Sequence, residues 1–329
     1  MIRYATLVVA MLAALGLGLF VGGAALAPAD VVRALAQPHA AGDATTIVWS
    51  LRLPRVVIAA VVGAALAVSG LLLQGLLRNP LVDPFLTGVS AGAGAAIALA
   101  VAAGIAAPFV PALGFAASMA TALLVAALAR RGTGLDAERL ILAGVSLSAL
   151  FSAIVALTLL RLGPDSGNTI LAWLAGSLAS RGWPDLAWAA PYLGAGLGLA
   201  VLAAPSLNAL RLGPNMARAV GVDIARTQWL VLAAATLLAA ASVALAGIVG
   251  FVGLIVPHLA RRIVGTDVRA SLAASALLGA AIVPLADAMA RSIVAPAEVP
   301  LGVLLAFVGV PAFLYLYLRP AGGTRLWGT

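Results

Sequence analysis

Lysine and cysteine are both missing from this 329-residue chain, and histidine occurs only twice. Without cysteine there can be no disulfide and no thiolate metal site. Without lysine there can be no Gly-x-x-x-x-Gly-Lys-Ser/Thr loop, so the chain does not hold ATP in the P-loop manner. No His-Glu-x-x-His motif occurs, nor a Gly-x-Ser-x-Gly with triad partners. His39 and His258 lie far apart in sequence. No catalytic residue, metal ligand or cofactor is expected.

Charge is equally scarce. Only 9% of residues are charged against 64% hydrophobic, and mean hydropathy is +1.14. A soluble domain carries roughly 25% charge, so this chain could not cover a water-exposed surface of its size. A bilayer is the solvent that fits. The abundance of Gly and Ala fits close helix packing in membranes. A net charge of +8 would suggest nucleic acid in a soluble protein. Here all 19 basic residues are Arg and most sit between apolar runs, which is a topology signal instead. No nucleic-acid partner is expected; lipid is.

Apolar runs predict an all-α polytopic membrane protein of about ten spans, near 5–27, 56–77, 85–107, 109–129, 140–160, 186–205, 228–246, 248–264, 270–290 and 300–318. Arg3, the following apolar run and Ala25-Leu26-Ala27 imitate a secretory signal. The run is longer than such a core and many spans follow, so an uncleaved first span is expected. With the N-terminus inside, the inner side holds Arg3, Arg78, Arg130, Arg131, Arg139, Arg211, Arg218, Arg226, Arg261, Arg262, Arg269, Arg319 and Arg325. The outer side holds Arg33, Arg52, Arg55, Arg161, Arg181 and Arg291. The excess predicts both termini inside and an even number of spans. The outer arginines, above all the close pair Arg52 and Arg55, call for a second explanation.

Two stretches are not simple loops. Residues 162–184 contain an apolar piece, Thr169 to Leu178, too short to cross, which predicts a re-entrant or interfacial helix on the outer side. Residues 206–226 lie on the inner side. Pro214 suits a first helical position and Gly221 a stop. Met216 and Val220 share a face that needs either a protein partner or the lipid headgroups. The span interiors hold almost no ionisable groups, Asp287 being the nearest exception. That scarcity argues against an ion-coupled secondary transporter, the main alternative. A membrane enzyme or scaffold would need a clustered polar site, and none is evident.

Four stretches then carry a resemblance. They are Arg52-Leu53-Pro54-Arg55 with Gly63 to Gly70 and Gln74; Arg78-Asn79-Pro80-Leu81-Val82-Asp83-Pro84 with Gly88 to Ala93; Leu142-Ala143-Gly144-Val145; and Gly247 to Arg261. From about residue 50 onward the chain resembles the FecCD-type permeases, membrane subunits of ATP-binding-cassette importers for iron-siderophores, haem and vitamin B12. The resemblance implies the type II importer permease fold, one transmembrane domain over 1–329 in the cytoplasmic (inner) membrane. It implies a second permease copy, expected to be identical, two ATPase subunits on the inner face, and a periplasmic binding protein outside. It gives Arg52, Arg55 and Arg291 a role in docking the binding protein, the alternatives being headgroup contact or an internal pair such as Arg291 with Asp287. It makes 206–226 the segment that couples to the ATPase, with Arg211, Met216, Arg218 and Gly221 as contact or shape residues. It places Asn79 and Leu81 at an inner gate; a helix-capping role is the alternative for Asn79. Ala137 and Glu138 replace the small hydroxyl residues of the family's second gate element, so that role is not carried over. His258 is expected to be a structural hydrogen-bonding group, and glycines 88, 92, 94, 247, 250 and 253 to set helix packing. The implied cargo is an iron chelate, siderophore or haem, or cobalamin.

Overall fold

The computed structural model describes residues 2–22, 26–295 and 297–318. Arg319, Arg325 and part of the Ala25-Leu26-Ala27 triplet lie outside the described residues. Fourteen α-helices follow in order: α1 (Ile2–Phe20), α2 (Pro28–Ala36), α3 (Asp43–Thr46), α4 (Leu53–Leu76), α5 (Val89–Ala102), α6 (Val110–Ala129), α7 (Ala137–Arg161), α8 (Pro164–Leu174), α9 (Trp183–Arg211), α10 (Pro214–Ala219), α11 (Ile224–Ala246), α12 (Val252–Val264), α13 (Val268–Ala290) and α14 (Leu301–Leu318). A π-helical stretch, Ile47–Arg52, joins α3 to α4. Strands β1 (Arg130–Arg131) and β2 (Gly134–Leu135) form a two-residue antiparallel hairpin, clamped by both amide atoms of Gln228 on the Leu135 backbone.

Each of the ten expected spans carries a helix. Among the described residues, seven helical segments are long and apolar enough to cross a membrane, and α5 and α14 are shorter apolar helices. α12 begins late. The expected span opens at residue 248, but the chain is non-helical from Gly247 to Phe251, with Gly247 and Phe251 both at positive φ. Non-helical backbone survives at membrane depth only where protein covers it. Here the cover is the end of the segment after α8. The Ser177 N–H donates to the Ala246 carbonyl at 2.9 Å, and Leu301 and Gly302 donate to Gly176 and Ala175. So α8, of eleven residues, packs with two broken helix ends instead of crossing.

Few carboxylates exist, and several are spent on helix starts. Asp136, Asp223 and Asp267 accept backbone N–H bonds at the first turns of α7, α11 and α13. An aspartate there satisfies orphan donors and complements the helix dipole. All three starts lie at the bundle end that also carries Arg3, Arg78, Arg130, Arg211 and Arg262. Arg3 donates to the Ile263 carbonyl, which places the start of α1 beside the end of α12.

The core is α4 and α11, each buried along most of its length, with α9, α12 and α13 packed around them. The close crossings are glycine on glycine: Gly63 with Gly279, and Gly70 with Gly253. Gly253 also faces Pro84, where an added Cβ would lie 2.6 Å from Cδ, and Gly92 abuts Thr121. Gly250 has looser surroundings, with Phe85 at 3.6 Å. By contrast α7 buries only Leu140, Gly144 and Thr158, leaving Leu142, Val145, Leu150 and Leu157 exposed. Phe307, Val308 and Leu314 of α14 are exposed as well. Such faces suit lipid or another apolar helix, not water.

Candidate functional site

Three stations bring the expected residues together. The first is at the bundle end opposite the Arg-rich one. α1 finishes there, and its last carbonyls have no partner within the helix. Arg52 donates to the carbonyls of Leu19 (2.8 Å) and Phe20 (3.2 Å), and Arg291 donates to that of Gly18 (3.1 Å). Two cations thus close a helix C-terminus, the end whose dipole favours positive charge. Both side chains are only 4% exposed. Arg55, 13% exposed, holds two carboxylates. Its Nε and Nη2 reach Asp287 at 2.9–3.1 Å, and its Nη1 and Nη2 reach Glu298 at 2.9 and 2.8 Å. Asp287 also accepts from the Arg291 Nε at 3.0 Å, one helical turn away. The internal pair that helical spacing allows is therefore formed. Burial draws the Arg291 pKa down, against the neighbouring Asp287 charge that raises it. Glu298 had no sequence signal, because it comes from the irregular stretch between α13 and α14.

The second station is the turn after α4. Arg78 takes a positive φ and ends the helix. Asn79 is not a cap of a helix but closes a turn: its Oδ1 accepts the Leu81 N–H at 2.9 Å, while Leu81 points outward, 41% exposed. Behind the turn, buried Gln74 donates from Nε2 to the carbonyls of Val82, Gly253 and Leu254 at 3.0–3.3 Å. Its Oε1 accepts from Arg261 Nη2 at 2.6 Å. One amide thus ties the turn to α12. No pattern in the sequence announced the pairing of residues 187 positions apart. His258 lies on the same short helix, and its Nε2 is buried with no partner among the described residues.

Asp83 sits buried in this turn, with Oδ1 accepting the Phe85 N–H and Oδ2 without a hydrogen-bond partner among the described residues. Burial pushes its carboxyl up to about 6, against the lowering effect of backbone N–H bonds. A carboxyl whose folded pKa exceeds its unfolded value binds protons more readily when folded, so its stability cost is absent below about pH 4 and complete above about pH 6. The purified protein is expected to melt at lower temperature at pH 7 than at pH 5, by roughly 1 kcal/mol of a total cost of about 3 kcal/mol that builds up from pH 4 to pH 7. Asp83→Asn, which keeps the Oδ1 acceptor, is expected to flatten that slope in a thermal-shift titration. An unchanged slope would rule Asp83 out as its source.

The third station is at the Arg-rich end. α9 finishes at Arg211, and the six-residue α10 projects beyond it. Leu212, Met216 and Val220 are 73%, 56% and 66% exposed. Gly221, at φ 77°, closes α10, its N–H donating to the Arg218 carbonyl. Arg218 itself donates to the Asn215 Oδ1 at 3.4 Å. Arg211 serves a different purpose: its guanidinium donates to the Thr266 carbonyl. Asn208 adds bonds to the Asp267 carboxylate (2.6 Å) and the Val268 N–H (2.9 Å). The segment is thereby fastened to the turn between α12 and α13. Beside it a cavity of about 400 Å³ is lined by Arg78, Arg131, Asp136, Glu138 and Pro214. Among the described residues no group of three His, Cys, Asp or Glu could hold a metal.

Comparison with known proteins agrees with this architecture. The model of the FecCD transport family matches residues 7–319. The haemin transport system permease protein HmuU of Yersinia pestis is 39% identical over 84% of this chain and 85% of its own length. The cobalamin import system permease protein BtuC of Halobacterium salinarum is 40% identical over 83% of this chain and 73% of its own. A solved structure described as an inward-facing conformation of a metal-chelate type ABC transporter superposes with a TM-score of 0.86 at 32% identity, over 96% of this chain and 99% of that one.

Proposed function

From the premise that this chain belongs to the FecCD transport family, we propose how its three stations work in an ABC importer, of which it is the membrane-spanning permease subunit. It is a transport subunit, not the enzyme; two separate ATPase subunits supply the hydrolysis. The observation that carries the reading is α10. Met216 in it and Val220 just after it are exposed beyond the bundle, and apolar side chains there need a partner. Because Arg211 and Asn208 fasten the end of α9, which carries α10, to the α12–α13 turn, and Arg261 ties α12 to the gate turn through Gln74, movement of α10 has a continuous route to Asn79 and Leu81. Met216 and Arg218 are contact residues for the ATPase on this reading, Gly221 sets the shape of the bend, and Arg211 transmits.

The orientation follows the arginine excess: the protein lies in the inner membrane with both termini in the cytoplasm. The stretch 206–226 is then the cytoplasmic coupling segment, and 162–184 a periplasmic re-entrant segment within the single permease domain. The uncovered faces of α7 and α14 meet a second, identical copy. On α7, Ser148 and Ser152 open into a cavity of about 330 Å³ with Ser90 and Phe85, an uncharged lane suited to passage without tight binding. Specificity then resides in the periplasmic binding protein, which docks at the Arg55 station, with Arg52 and Arg291 shaping it from below. The cargo class is an iron chelate such as a siderophore or haem, or cobalamin, consistent with the names of the relatives.

Reconstitution tests this. Purified with its ATPase in lipid, the permease is expected to show ATP hydrolysis stimulated by the binding protein. Met216→Glu puts a charge on the exposed face of α10 without touching the core. It is expected to cut stimulated hydrolysis by about tenfold or more, the effect of losing one buried apolar anchor. Substrate uptake driven by a proton or Na⁺ gradient without ATP would return the secondary transporter.

A further inference from the structure

We propose that Glu298 is a resident placeholder: its carboxylate holds Arg55 in the free permease and is displaced when a soluble partner presents a carboxylate of its own. The inference rests on the docking reading above and adds an exchange step to it. Arg55 uses one edge of its guanidinium for Asp287 and the other for Glu298, the second as a parallel pair of bonds at 2.9 and 2.8 Å. That fork geometry is the one by which an arginine recognises any free carboxylate.

The two carboxylates differ in what their release would cost. Asp287 is 1% exposed and shared with Arg291, so breaking it away would strand buried charges. Glu298 is 37% exposed and lies in the non-helical chain before α14, where water can solvate it again. An ion pair with one partner open to water is easier to break than an enclosed one. Of the two, Glu298 is the one that can leave. Its departure also changes the local field. Among the described residues Arg55 and Arg291 are paired with Asp287 and Glu298, so release of Glu298 raises the positive excess that draws an acidic surface in. The occupant is therefore an aspartate or glutamate on the face of a soluble protein.

The test uses the full transporter in lipid nanodiscs and, as probe, the fluorescently labelled binding protein that stimulates its ATPase. Glu298→Gln is expected to dock that protein about fivefold tighter or more, and Arg55→Gln about tenfold weaker. The double variant is expected to behave as Arg55→Gln alone. Asp165→Asn removes an exposed carboxylate from the start of α8 and controls for charge at a distance; it is expected to change affinity less than about twofold. Docking that is lost in Arg55→Gln but not strengthened in Glu298→Gln would overturn the placeholder and leave the docking site standing. Equal tightening by Asp165→Asn would reduce Glu298 to a bystander charge, which also overturns the proposal. Docking indifferent to Arg55→Gln would remove the docking reading itself, and the placeholder with it.

Discussion

Gly70→Ala and Gly63→Ala are each expected to leave little folded permease in the membrane. The two glycines stand seven residues apart on α4, hence on one face, and each meets a glycine of another helix. A Cβ on Gly70 would run into the carbonyl of Gly253, and one on Gly63 into that of Gly279. In both cases the obstacle is backbone, which cannot rotate aside as a side chain can. Overpacking a core costs about 1–3 kcal/mol where neighbours can adjust, and more where helices must part. Parting them also moves Gln74, one turn beyond Gly70, away from the Gly253 and Leu254 carbonyls it holds. Membrane abundance and melting in detergent measure the effect. Gly194→Ala and Gly198→Ala in α9, where nothing lies within 4 Å of the added carbon, are the controls and are expected to be silent. A Gly70→Ala protein that accumulates and melts like wild type would show that α4 and α12 do not cross this closely.

The same glycines mark how far the sequence could be read. Ten apolar runs were visible because a bilayer admits little else, and each run holds a helix. What the runs hid was where a helix is interrupted. Gly247 to Phe251 is as apolar as its neighbours, so hydropathy passes straight through it; the positive φ of Gly247 and Phe251 and the hydrogen bond from Ser177 to the Ala246 carbonyl reveal the break. The helical spacing of Asp287 and Arg291 made their pair legible. The capping of α1 by Arg52 and Arg291 was not, since it joins residues 33 and 273 positions apart with no complementary charge to signal it. The resemblance named Arg52, Arg55 and Arg291 as one group, and the fold does converge them. It also separates them: two support a helix end while one meets the surface. Likewise α10 was legible from Pro214, Met216 and Gly221, but the fastening role of Arg211 needed the α12–α13 turn beside it.

That division within the arginine group leads to the second large effect. Asp287→Ala is expected to destabilise the permease by about 3–5 kcal/mol, the cost of removing one partner from a buried ion pair. Asp287 neutralises Arg291 at 3.0 Å and one edge of Arg55 at 2.9–3.1 Å, while itself almost wholly enclosed. Without it, Arg291 keeps, among the described residues, the Gly18 carbonyl and that of residue 287 as acceptors, too little for a buried cation. Arg55 would keep Glu298, an exposed and weaker partner. The end of α1 would loosen with Arg291, because the same side chain closes that helix. Asp287→Asn retains an acceptor but not the charge, so its melting temperature is expected between those of Asp287→Ala and wild type. The decisive variant is the double one. Asp287→Ala with Arg291→Met removes the stranded cation and keeps its aliphatic bulk, and is expected to regain part of the loss. If the double variant is no more stable than Asp287→Ala, the buried charge is not the cause and the packing of α13 against α4 must be. Raising salt should change none of this, since ions cannot screen a pair that water does not reach. Docking at Arg55, whose outer partner Glu298 is open to water, should weaken with salt. The two readouts therefore separate the arginine that meets a partner from the arginine that holds the fold.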